Sequence, residues 1–257
     1  MKRLFVLSIV FAGMMVAPSP SCFAATIGWF GGNSGQASAI LASGNTPLAL
    51  SGLGAADLAS IDVLWILNPD NEAYDSEITG NLGSISAFVK GGGVLSMHDR
   101  YVTDAAGILP GGGGIAFFRD FTDPTTIDYL TAGPPVTGPG GTLAPGDLSG
   151  GNSSSHGFAT LGSLPAGAVA IFSRTDATQI VDFWYRFGSG SVYYSTIPLD
   201  YYLDGDGPAA VQAKMAGVYA PNELAFQASL GTPEPGTMLT LGAGALLAGL
   251  LLKKRML

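Results

Sequence analysis

The sequence predicts an α/β fold: a doubly wound, mainly parallel sheet covered by helices. Three observations carry this. Asp62-Val63-Leu64-Trp65-Ile66-Leu67 and Val94-Leu95-Ser96-Met97 are continuous apolar runs rather than alternating ones, the pattern of strands buried on both faces. Between them, Ile78, Leu82, Ile85, Phe88 and Val89 recur at helical spacing. An earlier strand and helix precede this set, so the order is strand, helix, strand, helix, strand, as in a parallel sheet joined by crossovers.

Each element has a local reason. Thr26 to Phe30 is a short apolar strand closed by the Gly31–Gly35 turn, and Ala37, Ile40 and Leu41 share one helical face after it. Thr46 to Leu50 is a weak strand. Asn68-Pro69-Asp70-Asn71-Glu72 ends the strongest strand. The next helix stops at Lys90 before Gly91-Gly92-Gly93, a basic last turn followed by helix breakers. Residues 107–157 hold thirteen Gly and six Pro and read as a long insertion, with short elements around Ala116 to Phe121. Ala168 to Phe172, Ile180 to Phe187 and Ser191 to Ile197 are strands, the last two joined as a hairpin by Gly188-Ser189-Gly190. Pro208 to Tyr219 is a closing helix with Pro near its first position.

Composition bounds the function. Of 257 residues, 12% are charged and 38 are glycine, with one Cys and two His. A disulfide framework within the chain and a His-rich zinc cage are excluded. Residues 25–231 keep six Lys and Arg against eighteen Asp and Glu. The resulting net charge of −12 argues against nucleic acid as a partner.

The ends read as addresses. Lys2-Arg3, an apolar run from Phe5 to Val16 and the small residues Cys22 and Ala24 describe a secretory signal peptide over residues 1–24, cut after Ala24 and handled by the Sec export machinery. At the other end, Pro233-Glu234-Pro235 leads into an uncharged helix at 237–252, followed by Lys253-Lys254-Arg255. A short apolar span with a basic flank is retained in the inner membrane, positive end inside. Residues 232–257 resemble the PEP-CTERM sorting signal of exported proteins in Gram-negative, exopolysaccharide-producing bacteria. The resemblance implies transient membrane residence, cleavage by an exosortase near the Pro-Glu-Pro motif, and a destination at the cell surface or in the extracellular matrix.

No Walker A, G-x-G-x-x-G or G-x-S-x-G pattern occurs. Asp204-Gly205-Asp206-Gly207 imitates a calcium loop but has Met215 where an EF-hand needs Glu, so it reads as a turn. One constellation remains. His98-Asp99-Arg100 follows the apolar strand directly, at the carboxyl edge where doubly wound sheets place ligands. Asp70 and Glu72 end the neighbouring strand at the same edge. His98, Asp99, Asp70, Glu72 and His156 are therefore the candidate ligand-binding residues, with Tyr101, Trp184, Tyr201 and Tyr202 as stacking surfaces. The polar triplet is expected to emerge from the core, placing His98 beside the Asp70–Glu72 loop, where carboxylates would favour its protonated form. The metal, if any, is not specified by these residues, and no cofactor is implied.

Asp62 to Leu67, Gly91-Gly92-Gly93-Val94-Leu95-Ser96-Met97-His98 and Gly190-Ser191-Val192-Tyr193-Tyr194 resemble class I glutamine amidotransferase-like domains, the ThuA-like branch in particular. The resemblance implies a flavodoxin-like arrangement over residues 25–231. In the amidotransferases the position of His98 is a nucleophilic Cys in a Gly-x-Cys-x-Gly turn. Here it is His, without flanking Gly, and the His-x-Glu partner pair is absent, so glutamine hydrolysis has no nucleophile. The readings are then a catalytically silent surface or matrix domain, a carbohydrate- or divalent-cation-binding module, or a ThuA-like sugar-processing enzyme.

Overall fold

A computed structural model describes residues 24–32 and 34–231. The signal peptide, apart from Ala24, and the sorting motif with its apolar helix lie outside the described residues. Among those residues, no helix is long and apolar enough to cross a membrane.

The strands are β1 (Thr26–Phe30), β2 (Thr46–Ala49), β3 (Val63–Asn68), β4 (Val94–Asp99), β5 (Phe117–Arg119), β6 (Asp128–Tyr129), β7 (Thr137–Gly138), β8 (Gly141–Thr142), β9 (Gly157–Thr160), β10 (Val169–Ser173), β11 (Gln179–Phe187) and β12 (Gly190–Ser195). The main sheet runs β2-β1-β3-β4-β12-β11-β10-β6, with β9 paired to β11 and β5 to β9. The half from β2 to β12 is parallel throughout. The hairpin then reverses direction, and β11, β10, β6, β9 and β5 pair antiparallel. As the apolar runs predict, β3 and β4 are adjacent and parallel, with Val63 opposite Val94 and Asn68 opposite Asp99.

Helices α1 (Gln36–Ala42), α2 (Ala55–Leu58), α3 (Ser76–Gly80), α4 (Leu82–Lys90), α5 (Ala105–Ile108), α6 (Leu199–Leu203), α7 (Ala209–Lys214) and α8 (Ala220–Gly231) complete the fold. Both sheet faces are covered, which is why β3 is buried at every position. Val63, Trp65 and Leu67 pack with Ile40 of α1 and Leu224 of α8. Leu64 and Ile66 turn the other way, onto Ile78 of α3 and Ile85 and Val89 of α4. Strand alternation thus divides one apolar run between two cores.

Several details depart from the sequence reading. The helix from Ile78 to Val89 is broken at Asn81, whose φ of −115° leaves helical geometry. On α1 Ile40 is buried, but Leu41 is 62% exposed. The Gly/Pro-rich insertion contributes β5 to the sheet, as expected, and also β6 and the separate β7–β8 ribbon. It is pinned by buried Arg174, which donates to Ser155 Oγ at 3.0 Å and pairs with Asp120 at 3.1 Å. Lys214 of α7 pairs with Asp147 at 2.8 Å. The closing helix does not end at Tyr219. It widens into a π-helical turn at Met215–Tyr219 and continues as α8. Pro221 has no N–H to give a preceding carbonyl, and the widened turn lies immediately before it.

Candidate functional site

Strand β4 runs two residues further than its apolar stretch predicts. His98 and Asp99 lie inside the strand, 1% and 0% exposed. They are not the solvated edge residues expected from sequence. The penalty for burying them is met by complete pairing. Asp99 Oδ2 accepts from the hydroxyls of Tyr74 at 2.7 Å and Tyr194 at 2.9 Å. Its Oδ1 accepts from Asn68 Nδ2 at 3.1 Å and the Tyr101 amide at 2.9 Å. Burial pushes the Asp99 pKa up against these donors.

His98 faces the α8 side. Its Nδ1 lies 3.1 Å from the Ile197 carbonyl oxygen, and its Nε2 lies 2.9 and 2.8 Å from the two Glu223 oxygens. Both neighbours are acceptors, so the ring uses both N–H groups as an imidazolium. Burial pulls the His98 pKa down, but the charge and hydrogen bond of Glu223, the charge of Asp182 and the Ile197 carbonyl leave it raised above 6.5. Around this pair, Ser96 Oγ donates to Glu223 Oε1 at 3.2 Å, and Gln227 Nε2 donates to Ser96 Oγ at 2.7 Å and also to Glu223 Oε1. Asp182 accepts from Tyr193 at 2.9 Å and from Tyr219. Burial, reinforced by the Glu223 charge, pushes the Asp182 pKa up to about 6. This cluster is closed to solvent: Glu223, Asp182, Tyr193 and Tyr219 are all 0% exposed.

The other predicted residues go elsewhere. Asp70 and Glu72 are exposed, and Asp70 Oδ1 accepts from the Glu72 amide at 2.7 Å in a local turn. They do not supply the partner of His98, which is Glu223. Among the described residues, no three His, Cys, Asp or Glu side chains cluster to hold a metal. Trp184 packs on Phe226 of α8, Tyr101 on Tyr74, and Tyr202 is core.

An open cleft does exist at the carboxyl edge, but it contains His156 and not His98. Arg100, Asn152, Ser153, His156, Pro198 and Tyr201 line a volume of about 220 Å³. Arg100 follows β4, Pro198 and Tyr201 follow β12, and residues 152–156 come from the insertion. Arg100 Nε donates to Asp200 Oδ1 at 3.1 Å and Nη2 pairs with Asp200 Oδ2 at 2.9 Å, a two-pronged contact that neutralises the guanidinium. Its Nη1 has only a 3.4 Å contact with the Pro69 carbonyl. The guanidinium also lies 5.7 Å from the Tyr201 ring centre. Asn152 Nδ2 donates to Tyr201 Oη at 3.1 Å. His156 Nδ1–H donates to the Arg100 carbonyl at 3.1 Å, and Phe121 meets the ring edge-on at 5.3 Å. Burial lowers the His156 pKa to about 4, helped by the charges of Arg100, Arg119 and Arg174. The ring is therefore neutral near pH 7, with Nε2 as an acceptor.

Sequence reasoning missed Glu223, Gln227, Asp182 and Asp200. One signal was present: Asp182 stands alone in the apolar run Ile180-Val181-Asp182-Phe183, as a buried, paired carboxylate does. Glu223 and Gln227 sit one helical turn apart, but on a helix hidden behind Pro221.

No known family matches this chain, and no curated protein does. Solved structures do resemble it. A cytoplasmic protein of Salmonella typhimurium LT2 superposes with a TM-score of 0.53 at 11% identity, covering 79% of this chain and 99% of that one. A second cytoplasmic protein of Salmonella typhimurium gives 0.48 at 13% identity, over 79% and 98%. A Bacteroides uniformis protein described as ThuA-like gives 0.42 at 11% identity, over 79% and 93%. The chain spans only about a third of the longer β-galactosidases and the mannosidase that also match. The likeness to the first of these, at a TM-score of 0.53, shows a shared α/β fold, and at 11% identity it shows nothing about activity.

Proposed function

We propose that this chain is an exported, exosortase-processed surface or extracellular-matrix protein whose amidotransferase-like domain has no glutaminase chemistry. The observation that carries the chemical half is the state of His98. It stands where the resembling family presents its nucleophile, yet it is 1% exposed with both ring nitrogens engaged. No Cys remains in residues 25–231, so no side chain there can form a thioester. The sorting half rests on the sequence: Pro233-Glu234-Pro235, the uncharged stretch 237–252 and Lys253-Lys254-Arg255 fit passage through Sec, transient residence in the inner membrane and handling by an exosortase, with exopolysaccharide as the surroundings.

Intact-mass analysis of the protein from an exosortase-bearing Gram-negative host tests this. The surface form should begin at Ala25 and end close to Pro233-Glu234-Pro235. A form beginning at Met1, a lipid on Cys22, or surface protein still carrying residues 237–257 overturns the sorting reading. Ammonia released from glutamine above background overturns the chemical one.

A further inference from the structure

We propose that a groove at the amino-terminal edge of the sheet seats the segment that follows α8, Thr232-Pro233-Glu234, with the Glu234 carboxylate drawn to the exposed cations Lys90 and Arg186. The consequence rests on the sorting reading above: a seated segment shields the Pro-Glu-Pro motif from the exosortase, and its release sets the rate of processing.

The groove lies where β3, β4 and β12 begin, at the other end of the sheet from the cleft. Asp62, Gly93 and Ser189, the residues just before those strands, line it together with Ala59, Phe88 and Gly231. Its volume is about 580 Å³, within the roughly 300–1,000 Å³ of sites that hold a drug-sized group, so it has room for a short peptide. Gly231 ends α8 and is already inside: a Cβ there would lie 3.3 Å from Val94 Cγ2, 3.8 Å from the Gly92 oxygen and 3.9 Å from the Asp62 backbone oxygen. The chain therefore leaves the domain from within the groove. The tether gives the next residues a local concentration of about millimolar order. Thr232 and Glu234 each precede a proline, which restricts both to extended backbone, so little freedom is left to lose on seating.

Charge selects the same segment. Residues 25–231 carry only six cations, and Arg100, Arg174 and Lys214 are each paired with an aspartate. Lys90 and Arg186 are exposed and meet no carboxylate among the described residues. Both stand beside the groove. Lys90 directly precedes Gly91 of its lining, and Arg186 Nη1 donates to the Leu230 carbonyl at 3.0 Å, one residue before Gly231. The first charge after Gly231 is Glu234, the only acid in residues 232–257, about 10 Å along an extended chain. Asp62 is the one acid of the lining. It accepts from the Thr26 amide at 2.8 Å and repels Glu234 toward the cations.

The test uses the full chain, purified in detergent with nitrogen-15 in glutamate alone, which labels Glu72, Glu77, Glu223 and Glu234. The Glu234 amide should have an order parameter near the roughly 0.85 of rigid backbone, falling below about 0.6 in Lys90→Glu. Ala59→Trp, at an exposed position in the groove wall, fills the groove and should loosen the amide too. Combining Lys90→Glu with Glu234→Lys restores the attraction and should restore the order, read with labelled lysine. In an exosortase-bearing host, Lys90→Glu should lose its tail about two- to fivefold faster, the worth of an exposed ion pair. A Glu234 amide already below about 0.6 in the unaltered chain, or one that Lys90→Glu leaves unchanged, overturns the docking while the sorting reading stands. A rigid Glu234 amide in a chain that the host never cuts overturns the sorting reading while the docking stands.

Discussion

His98 and Asp99 are neighbours on one strand, yet they point into opposite cores and are satisfied by different means. Asp99 collects four donors, two of them tyrosine hydroxyls. His98 meets a single carboxylate, Glu223, which has 0% exposure. Removing one member of a buried ion pair leaves the other charge uncompensated, at a cost of about 3–5 kcal/mol. Glu223→Ala should therefore destabilise the domain by about that amount in urea unfolding. Glu223→Gln keeps the side-chain shape and an acceptor for Nε2 but removes the charge, so it should cost nearly as much. A clearly smaller loss for Glu223→Gln would mean that Glu223 contributes through packing and hydrogen bonding rather than charge. The expectation that polar residues after Met97 must leave the core assumed that no partners waited there. Burial follows from pairing, and pairing over 125 residues of sequence separation has no local signature.

At the scale of elements, the legible parts are those whose residues report their own surroundings. β3 and β4 announced burial on both faces through continuous apolar runs, and the β11–β12 hairpin announced its turn through Gly188 and Gly190. What stayed hidden depends on distant context. α8 begins Ala220-Pro221-Asn222, a sequence that reads as a turn, and becomes helix because Leu224 and Leu230 bury against the sheet. The cleft stayed hidden for the same reason: the tertiary bond that brings the insertion to the residue after β4, from His156 to the Arg100 carbonyl, has no local signature. Gly190 shows how tightly the hairpin docks on α4. A Cβ there would lie 2.1 Å from the Gly93 oxygen and 2.3 Å from the Val89 oxygen, both backbone. Gly190→Ala should cost about 3 kcal/mol or more, since neither neighbour can turn aside. Gly44→Ala is the matched control. Gly44 has φ of +82° with nothing within 4 Å of the added carbon, so only the left-handed backbone resists, at about 1–2 kcal/mol. Thermal melts of both variants check the ordering.

For the whole molecule, the buried groups set a stability profile against pH, and their signs differ. His156 falls from 6.5 to about 4 on folding, so between those values the unfolded chain holds the extra proton and stability rises with pH. Asp182 rises from 3.8 to about 6, so over nearly the same range the folded chain holds the extra proton and stability falls with pH. The two oppose each other, and Asp99 and Asp200, whose pKa values burial also raises, add to the falling arm, so the profile slopes downward with pH and is only partly flattened from about pH 4 to 6. Below it, Asp120 and Asp147 take over. Hydrogen bonds from Thr122 hold Asp120 below its ordinary range, and the hydrogen bond from Lys214 does so for Asp147. Their contribution, screened at the surface, is present above 3.8 and lost as pH falls through their folded values. Above that range, His98 dominates. Its folded pKa is raised, so its contribution is complete below 6.5 and disappears as pH climbs through the folded value. The net charge of −12 over residues 25–231 also favours the acidic side, because repulsion is weaker there. Salt separates these two causes, since it screens surface repulsion far more than a buried pair. Melting temperature followed from pH 4 to 10 should fall gently to about pH 6 and more steeply above it, and the steeper decline should persist in 0.5 M NaCl, about five times the salt that sets a 10 Å screening length. In His98→Asn the protein should be less stable at pH 5 and should lose most of the salt-resistant decline. If the His98→Asn profile keeps the same slope above pH 7 as the unaltered chain, the imidazolium–Glu223 pair is not what ties this fold's stability to pH.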